Sequence, residues 1–152
     1  MAMNIINRIL LTYWHSLLKE IDLYREAPIR VQRDTLSSLI KGGKGSSFGQ
    51  EHNFGAIRDY ESFRKSVPIR DYNGLSGYIE RIRGGEKYVL WDQEVPWYAK
   101  SSGTSAQKSK FIPITPINLK ECHYKGFQML LASYINTHQE SRLFYGKSLT
   151  LG

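Results

Sequence analysis

The chain has 152 residues and a mass of 17.5 kDa, with 41% apolar and 12% aromatic residues, so it is large enough for one domain with a packed core. This composition excludes a disordered tail or a fibrous repeat. The formal net charge of +7 permits nucleic acid, a membrane surface or a polyanionic small molecule such as ATP as a partner.

The first predicted element is an amphipathic helix. Its apolar residues recur at steps of three and four, at Ile6, Ile9, Leu10, Tyr13, Leu17, Ile21 and Tyr24. Polar residues interrupt the stretch, so it is too broken to cross a bilayer, and it lacks the features of a secretory signal. Its polar face is not rich in basic residues, which favours a helix packed on a core over one lying on a membrane. We therefore expect no membrane partner.

Residues 1–86 are predicted to be mainly helical. A second helix is expected from about Ile29 to Ile40, because its apolar residues have helical spacing and a glycine pair follows as a stop. Residues 42–49 are then predicted to be a loop. Two short helices are predicted after Asp59 and Asp71, since each aspartate suits an N-cap. Between them, residues 67–70 are predicted to be extended because Pro68 disfavours helix in the residue before it.

Residues 87–152 have the pattern of strands with one long helix. Short aromatic or β-branched runs predict strands over Tyr88–Trp91, Trp97–Ala99 and Phe111–Ile114. A helix from about Ile117 to Asn136 follows, and Leu143–Leu151 is predicted to be another strand. This order predicts an α/β fold in which the helix crosses between strands. Because the last predicted strand lacks a further element to cover it, we expect the chain to be the N-terminal part of a longer protein.

The most informative segment is the small, hydroxyl-rich run from Lys100 to Lys110. Gly103 would let the backbone approach a phosphate closely, the serine and threonine hydroxyls would donate hydrogen bonds, and Lys108 and Lys110 could neutralise the oxygens. The segment is not a Walker A loop, because its second glycine is absent and the lysine arrives one residue early. From the residues alone, a plain surface loop remains the alternative.

The segment also resembles a known motif. Ser101-Ser102-Gly103-Thr104-Ser105 followed by Lys110-Phe111-Ile112-Pro113 resembles the first ATP-binding motif of adenylate-forming enzymes, in the form of the auxin-responsive family of acyl acid amido synthetases. The similarity continues upstream along most of the chain, through Phe48–His52, Tyr60–Phe63, Val67–Tyr72, Tyr78–Ile82 and Gly85-Glu86. It covers about the first third of such an enzyme, and Gln107 stands where the family commonly has glycine.

The resemblance implies a ligase that uses ATP and Mg²⁺ to adenylate a carboxylic acid and then transfers the acyl group to an amino acid. Carried over by position, the residues that would close over the phosphates are Ser101, Ser102, Gly103, Thr104 and Ser105, with Lys110 as the motif's basic residue. The chain would be the incomplete large domain of that enzyme, comprising N-terminal helices, the first strands and the crossover helix. The rest of the enzyme would lie beyond Gly152, so we expect this chain to be inactive alone.

The histidines and one face of the predicted long helix are further candidates for functional residues. His15, His52, His123 and His138 lack metal-ligand spacing, and for His52 we favour a turn-stabilising hydrogen bond over catalysis. In the predicted long helix, Tyr124, Phe127 and Leu131 lie on one face together with Leu130 and Tyr134, which could border an acyl-acid pocket or simply pack in the core.

The rival interpretations from a different functional class are single-stranded nucleic-acid binding and another role as a non-catalytic binding fragment. The evidence for the first is the more specific. It depends on a cluster of basic and aromatic residues formed by Arg81, Arg83 and Lys87 with Tyr78, Tyr88 and Trp91. The chain lacks an RNA-recognition signature and a zinc knuckle, so we do not expect a nucleic-acid partner. The single cysteine, Cys122, excludes an internal disulfide and lacks an evident base, and a reducing, cytoplasmic location is the expectation.

Overall fold

The computed structural model describes residues 4–101 and 109–147. Its helices are α1 (Ile5–Tyr13), α2 (His15–Glu26), α3 (Pro28–Gly43), α4 (Ser47–Glu51), α5 (Tyr60–Ser66), α6 (Tyr72–Arg83), α7 (Pro116–Asn118) and α8 (Lys125–Thr137), with a 3₁₀ turn at Phe54–Ala56 and a π-helical segment at Leu119–Tyr124. Two strands, β1 (Trp97–Ser101) and β2 (Lys110–Ile114), form one sheet. The described part is thus helix-rich with a small sheet, which is compatible with an incomplete α/β domain. Within it, no helix has the length and apolar character needed to span a membrane.

The chain divides into two compact units, and the first contains α1, α2 and α8. Its core consists of Trp14, Ala132 and Ile135, against which leucines of α1 and α2 pack. The buried Asn7 amide ties α1 to the chain after α8, since its Nδ2 donates to the carbonyl oxygens of Gln139 and Ser141, both at 2.9 Å. Packing and these hydrogen bonds together hold the three helices in place.

A partly buried ion pair also joins α2 to α8 in this unit. Lys125 Nζ donates to Glu20 Oε1 at 2.6 Å, and the Tyr24 hydroxyl donates to the same carboxylate. Burial raises the pKa of Glu20, but the hydrogen bonds from Lys125 and Tyr24 outweigh it and the pKa is lowered. The hydrogen bond to Glu20 is the main cause that raises the pKa of Lys125, so the pair is charged at neutral pH.

The second unit, residues 28–119, has its core between α3, the 3₁₀ turn and the following residues. Ile40, Phe54 and Ile57 are buried there, with Leu36, Phe48, Phe63 and Val67 packed around them. Helices α3 and α4 meet so closely that a Cβ on Gly49 would lie 2.0 Å from the Gly43 carbonyl oxygen. Only glycine therefore fits at position 49.

The helix predictions for residues 1–86 are largely confirmed. Helix α3 covers the predicted second helix, and Asp59 and Asp71 both act as N-caps whose side chains accept from backbone N–H groups of the first turn. The prediction of a single first helix is wrong in one respect, because the chain forms two helices that meet at Trp14. The Trp14 ring is buried against α8, and this packing outweighs the continuous helical periodicity.

The predicted loop over residues 42–49 is wrong in part. Helix α3 continues to Gly43, and Ser46 caps the new helix α4 by accepting from the Gly49 N–H at 3.0 Å. Two further N–H groups of α4 find partners elsewhere in the unit. Ser47 N–H donates to the Tyr88 carbonyl at 2.8 Å and Phe48 N–H donates to the Val89 carbonyl at 2.9 Å.

That pairing explains why the strand predicted over Tyr88–Trp91 is wrong. The carbonyls of this segment accept from the start of a helix rather than from a strand, and Tyr88 adopts a positive φ of 59°, which is incompatible with an extended strand. Val89 is nevertheless 1% exposed. Its apolar character therefore reflects burial and not a place in a sheet.

In the C-terminal part, β1, β2 and the long helix are confirmed. The helical residues run from Pro116 to Thr137 and include the π-helical segment, matching the prediction over 117–136. The strand predicted over Leu143–Leu151 is wrong for residues 143–147, where the Tyr145 N–H donates to the Arg142 carbonyl in a turn. Its remaining residues lie outside the described ranges. Among the described residues after 86, strand structure is therefore confined to β1 and β2.

Candidate nucleotide-binding site

The site predicted from the sequence lies at the end of the β1–β2 pair where residues 102–109 connect the two strands. The strands are antiparallel, and their register places Ser101 directly opposite Lys110. Opposed residues of an antiparallel pair have side chains on the same face, with Cβ atoms about 4.5–5.5 Å apart. Thus Ser101 and Lys110, the two predicted phosphate ligands that the structure describes, are brought together. The other four, Ser102, Gly103, Thr104 and Ser105, lie outside the described residues.

The face that carries Ser101 and Lys110 is the more open face of the sheet. Trp97 and Ile112 share it by strand alternation and are 49% and 52% exposed. On the opposite face, Phe111 and Tyr98 are half-buried. An anion could therefore reach Lys110 without displacing core side chains.

Helix α6 holds strand β2 in place from its outer edge. The Tyr72 hydroxyl accepts from the Phe111 N–H at 3.0 Å and lies 3.4 Å from the Phe111 carbonyl oxygen, to which it donates. At the other end of α6, the Arg83 guanidinium lies 4.1 Å from the centre of the Phe111 ring. One helix thus contacts both the backbone and the side chain of the residue next to Lys110.

Lys110 itself lies against an aromatic ring. Its Nζ is 5.4 Å from the centre of the Tyr72 ring, within the range of a cation–π interaction. Among the described residues it forms no salt bridge. Its charge is therefore not offset by a described carboxylate and remains available to an anion.

A second polar network in the same unit was missed from the sequence. Arg70 donates to the Tyr78 hydroxyl at 3.1 Å and to His52 Nε2 at 3.0 Å, and Tyr78 donates to Glu51 Oε2 at 2.6 Å. Arginine can only donate, so His52 Nε2 accepts and its Nδ1 carries the proton donated to the Phe48 carbonyl at 2.9 Å. The hydrogen bond predicted for His52 is confirmed. Its contact with Arg70 was not predicted, because the two residues are 18 positions apart and no local sequence pattern indicates that they meet.

The comparisons with known proteins agree with the resemblance. A family model described as the GH3 family N-terminal domain matches residues 17–152. The chain belongs to the GH3 family. Its relatives include a jasmonoyl–L-amino acid synthetase of Oryza sativa subsp. japonica, which is 28% identical over 133 residues, covering 87% of this chain and 22% of that protein.

Two further GH3 relatives give the same picture. An indole-3-acetic acid-amido synthetase of Arabidopsis thaliana is 35% identical over 121 residues, which are 79% of this chain and 20% of that protein. A jasmonoyl–L-amino acid synthetase of Nicotiana attenuata is 28% identical over 129 residues, which are 84% and 21% of the two chains. The chain therefore spans about a fifth of the length of these GH3 proteins, less than the third that the motifs implied.

The basic residues of the rival nucleic-acid surface are already paired with carboxylates. Arg81 Nε donates to Glu86 at 2.8 Å, Arg83 donates to Glu80 at 2.8 Å, and Lys87 donates to Glu94 at 2.5 Å. The hydrogen bonds that Arg81 donates to the Glu86 carboxylate raise the pKa of Arg81 and lower the pKa of Glu86. Since counterion release requires cations that face phosphates, this cluster gives the nucleic-acid interpretation no support.

The three predicted pocket residues of the GH3 chain differ in environment. Tyr124 and Phe127 are 55% and 58% exposed, whereas Leu131 packs against the core of Trp14, Ala132 and Ile135. Core packing therefore accounts for Leu131 but not for the two aromatic residues. Their role in an acyl-acid pocket remains a prediction.

The described part of the chain also contains a cleft of about 420 Å³ between α3 and the residues around the 3₁₀ turn. Leu36, Ile40 and Ile57 contribute apolar surface, and Lys41 and Lys44 contribute charge. None of the predicted phosphate or acyl-pocket residues lines it. The nucleotide-site prediction thus depends on the sheet and not on this cleft.

Proposed function

We propose that this chain carries the first phosphate-binding segment of an ATP-dependent acyl acid amido synthetase and is the partial N-terminal portion of that enzyme's adenylate-forming domain. The observation that carries the proposal is the pairing of Ser101 with Lys110 at the end of the sheet where residues 102–109 connect β1 to β2. Membership of the GH3 family supports it, because the named relatives are amido synthetases that act with jasmonic or indole-3-acetic acid.

In the proposed reaction, a substrate carboxylate oxygen attacks the α-phosphorus of ATP in line with the leaving group. The bond from the α-phosphorus to the bridging oxygen breaks, and pyrophosphate leaves with the electron pair. Lys110 and the hydroxyls of Ser101, Ser102, Thr104 and Ser105 would stabilise the negative charge of the β- and γ-phosphates. An amino-acid amine then attacks the activated acyl carbon, and AMP leaves as the amide forms.

The residues that the structure describes do not form a protein site for the magnesium ion that ATP chemistry implies. Across 4–101 and 109–147, no three His, Cys, Asp or Glu side chains converge as metal ligands would. We propose that Mg²⁺ arrives bound to the phosphate oxygens of ATP, as is common for this ion. The chain's own contribution is then the hydroxyls and Lys110.

Isothermal calorimetry with Mg-ATP tests the proposal. We expect saturable binding that weakens about tenfold or more in Lys110→Ala, because a charge-assisted hydrogen bond to phosphate contributes about 1.5–3 kcal/mol. Ser102→Ala and Thr104→Ala should weaken binding less, since each removes one neutral donor. Ser101→Ala measures how much the residue opposite Lys110 contributes to the affinity for ATP.

Lys100→Ala is the matched control, because Lys100 lies one residue from Ser101 on the opposite face of β1. It removes the same charge but should change the affinity by less than about twofold at moderate salt. Absence of ATP binding by the parent chain, or equal losses in Lys100→Ala and Lys110→Ala, would contradict the proposal. We further expect no acyl-adenylate from this chain alone, which a pyrophosphate-release assay with the carboxylic acids of its relatives would check.

A further inference from the structure

We propose that Tyr72 is a positioning residue for Lys110, holding its ammonium group at the end of the phosphate-binding segment without neutralising it. The inference rests on the proposed function of that segment and assigns a role to a residue outside it. Tyr72 is the first residue of α6, distant in sequence from Lys110, and the two come together only in the folded unit.

Tyr72 is fixed in position by contacts at both ends of its side chain. Asp71 caps α6 by accepting from the Gly74 N–H at 2.9 Å, which fixes the start of the helix and therefore the direction of the next side chain. The Tyr72 hydroxyl then forms two hydrogen bonds with the Phe111 backbone, at 3.0 and 3.4 Å. Tyr72 is therefore held at both ends and acts like a strand neighbour on the outer edge of β2.

The Tyr72 ring contacts the ammonium group of Lys110. A lysine held by a carboxylate would have to give up that partner before binding phosphate, as Arg81, Arg83 and Lys87 would here. An aromatic face attracts the ammonium through its quadrupole but leaves its full charge and its donors available. The 5.4 Å separation between Lys110 Nζ and the ring centre is thus suited to a lysine that must be ordered yet remain free for an anion.

A double-mutant cycle measured by Mg-ATP calorimetry tests this role. Tyr72→Leu should weaken ATP binding about two- to fivefold when Lys110 is present, the range expected for an exposed cation–π contact. In the Lys110→Met background the same change should have a clearly smaller effect, because the positioned group is gone and only the hydrogen bonds of Tyr72 to the Phe111 backbone are lost. Tyr72→Phe keeps the ring and should recover part of the loss.

The matched control is Tyr60→Leu. Tyr60 likewise follows a capping aspartate as the first residue of its helix, α5, but it is exposed. It should leave ATP affinity unchanged. Equal losses from Tyr72→Leu in both Lys110 backgrounds would overturn the positioning role and indicate a purely structural effect.

A proton NMR measurement separates failure of this inference from failure of the proposed function. The Tyr72 ring current should displace the Lys110 ε-methylene resonance in the parent chain and in Tyr72→Phe, but not in Tyr72→Leu. A parent chain that shows this displacement but does not bind Mg-ATP would refute the proposed function and with it the role toward phosphate. ATP binding without the displacement would refute the role of Tyr72 alone.

Discussion

Replacement of Gly49 by alanine should strongly destabilise the second unit. A Cβ at this position would lie 2.0 Å from the Gly43 carbonyl oxygen, far inside the 3.4 Å at which ordinary contact begins. The oxygen cannot simply move, because it accepts from the Ser46 N–H at 3.0 Å and from the Ser46 hydroxyl at 2.7 Å. Overpacking against backbone together with weakening of these hydrogen bonds predicts a loss of about 3 kcal/mol or more in the free energy of unfolding.

Gly77→Ala provides the matched comparison in the same unit. Gly77 lies within α6, and a Cβ there would meet nothing within 4 Å, so alanine should stabilise the helix by about 0.5–1 kcal/mol. Urea unfolding followed by circular dichroism measures both variants, and the shift in midpoint is interpretable if the slope is unchanged. A Gly49→Ala midpoint within error of the parent would show that α3 and α4 do not approach as closely as described.

Two further variants test polar contacts. Asp59→Ala should lower stability at neutral pH because the Ser62 N–H loses its acceptor. That hydrogen bond lowers the pKa of Asp59. Its contribution to stability is therefore fully present above the ordinary carboxyl pKa and is lost as the pH falls through the lowered pKa of the folded protein. Urea midpoints of parent and variant should therefore converge in acid, and a constant difference would contradict the capping role. Asn7→Ala should lower the free energy of unfolding by about 1–2 kcal/mol, since the Gln139 carbonyl loses its donor while a buried Oδ1 that has no partner among the described residues is also removed. The exposed Thr12→Ala is its control, and equal effects would refute the tie between α1 and the chain after α8.

Local sequence signals predicted the elements that depend on neighbouring residues. Asp59 and Asp71 were recognised as caps because an aspartate side chain satisfies N–H groups two or three residues later, wherever the helix packs. Strands β1 and β2 followed from short β-branched and aromatic runs. In each case the residues that determine the element lie within a few positions of it.

The errors arose where distant contacts decide the backbone. The apolar run at Tyr88–Trp91 has a strand composition, but its carbonyls pair with the N-terminus of α4, about forty residues earlier. Trp14 interrupts the first helix because its ring packs against α8, which is over a hundred residues later. For the site, the motif identified Ser101 and Lys110, whereas the contact of Tyr72 with Lys110 carries no signature at either position.

The net charge of +7 does not by itself show which cations can bind an anion, because that depends on the partner of each cation. Arg81 and Lys110 are both exposed and lie in the same unit, but Arg81 is paired with Glu86 and Lys110 lies against a ring. We therefore expect Arg81→Ala to change Mg-ATP affinity by less than about twofold at moderate salt, because Arg81 is held by Glu86 and salt screens exposed charges. Lys110→Ala should reduce it about tenfold or more. If the two variants lose affinity equally, the overall charge attracts the nucleotide and the position of Lys110 does not matter. Pairing with a carboxylate would then not prevent a cation such as Arg81 from contributing to nucleotide binding.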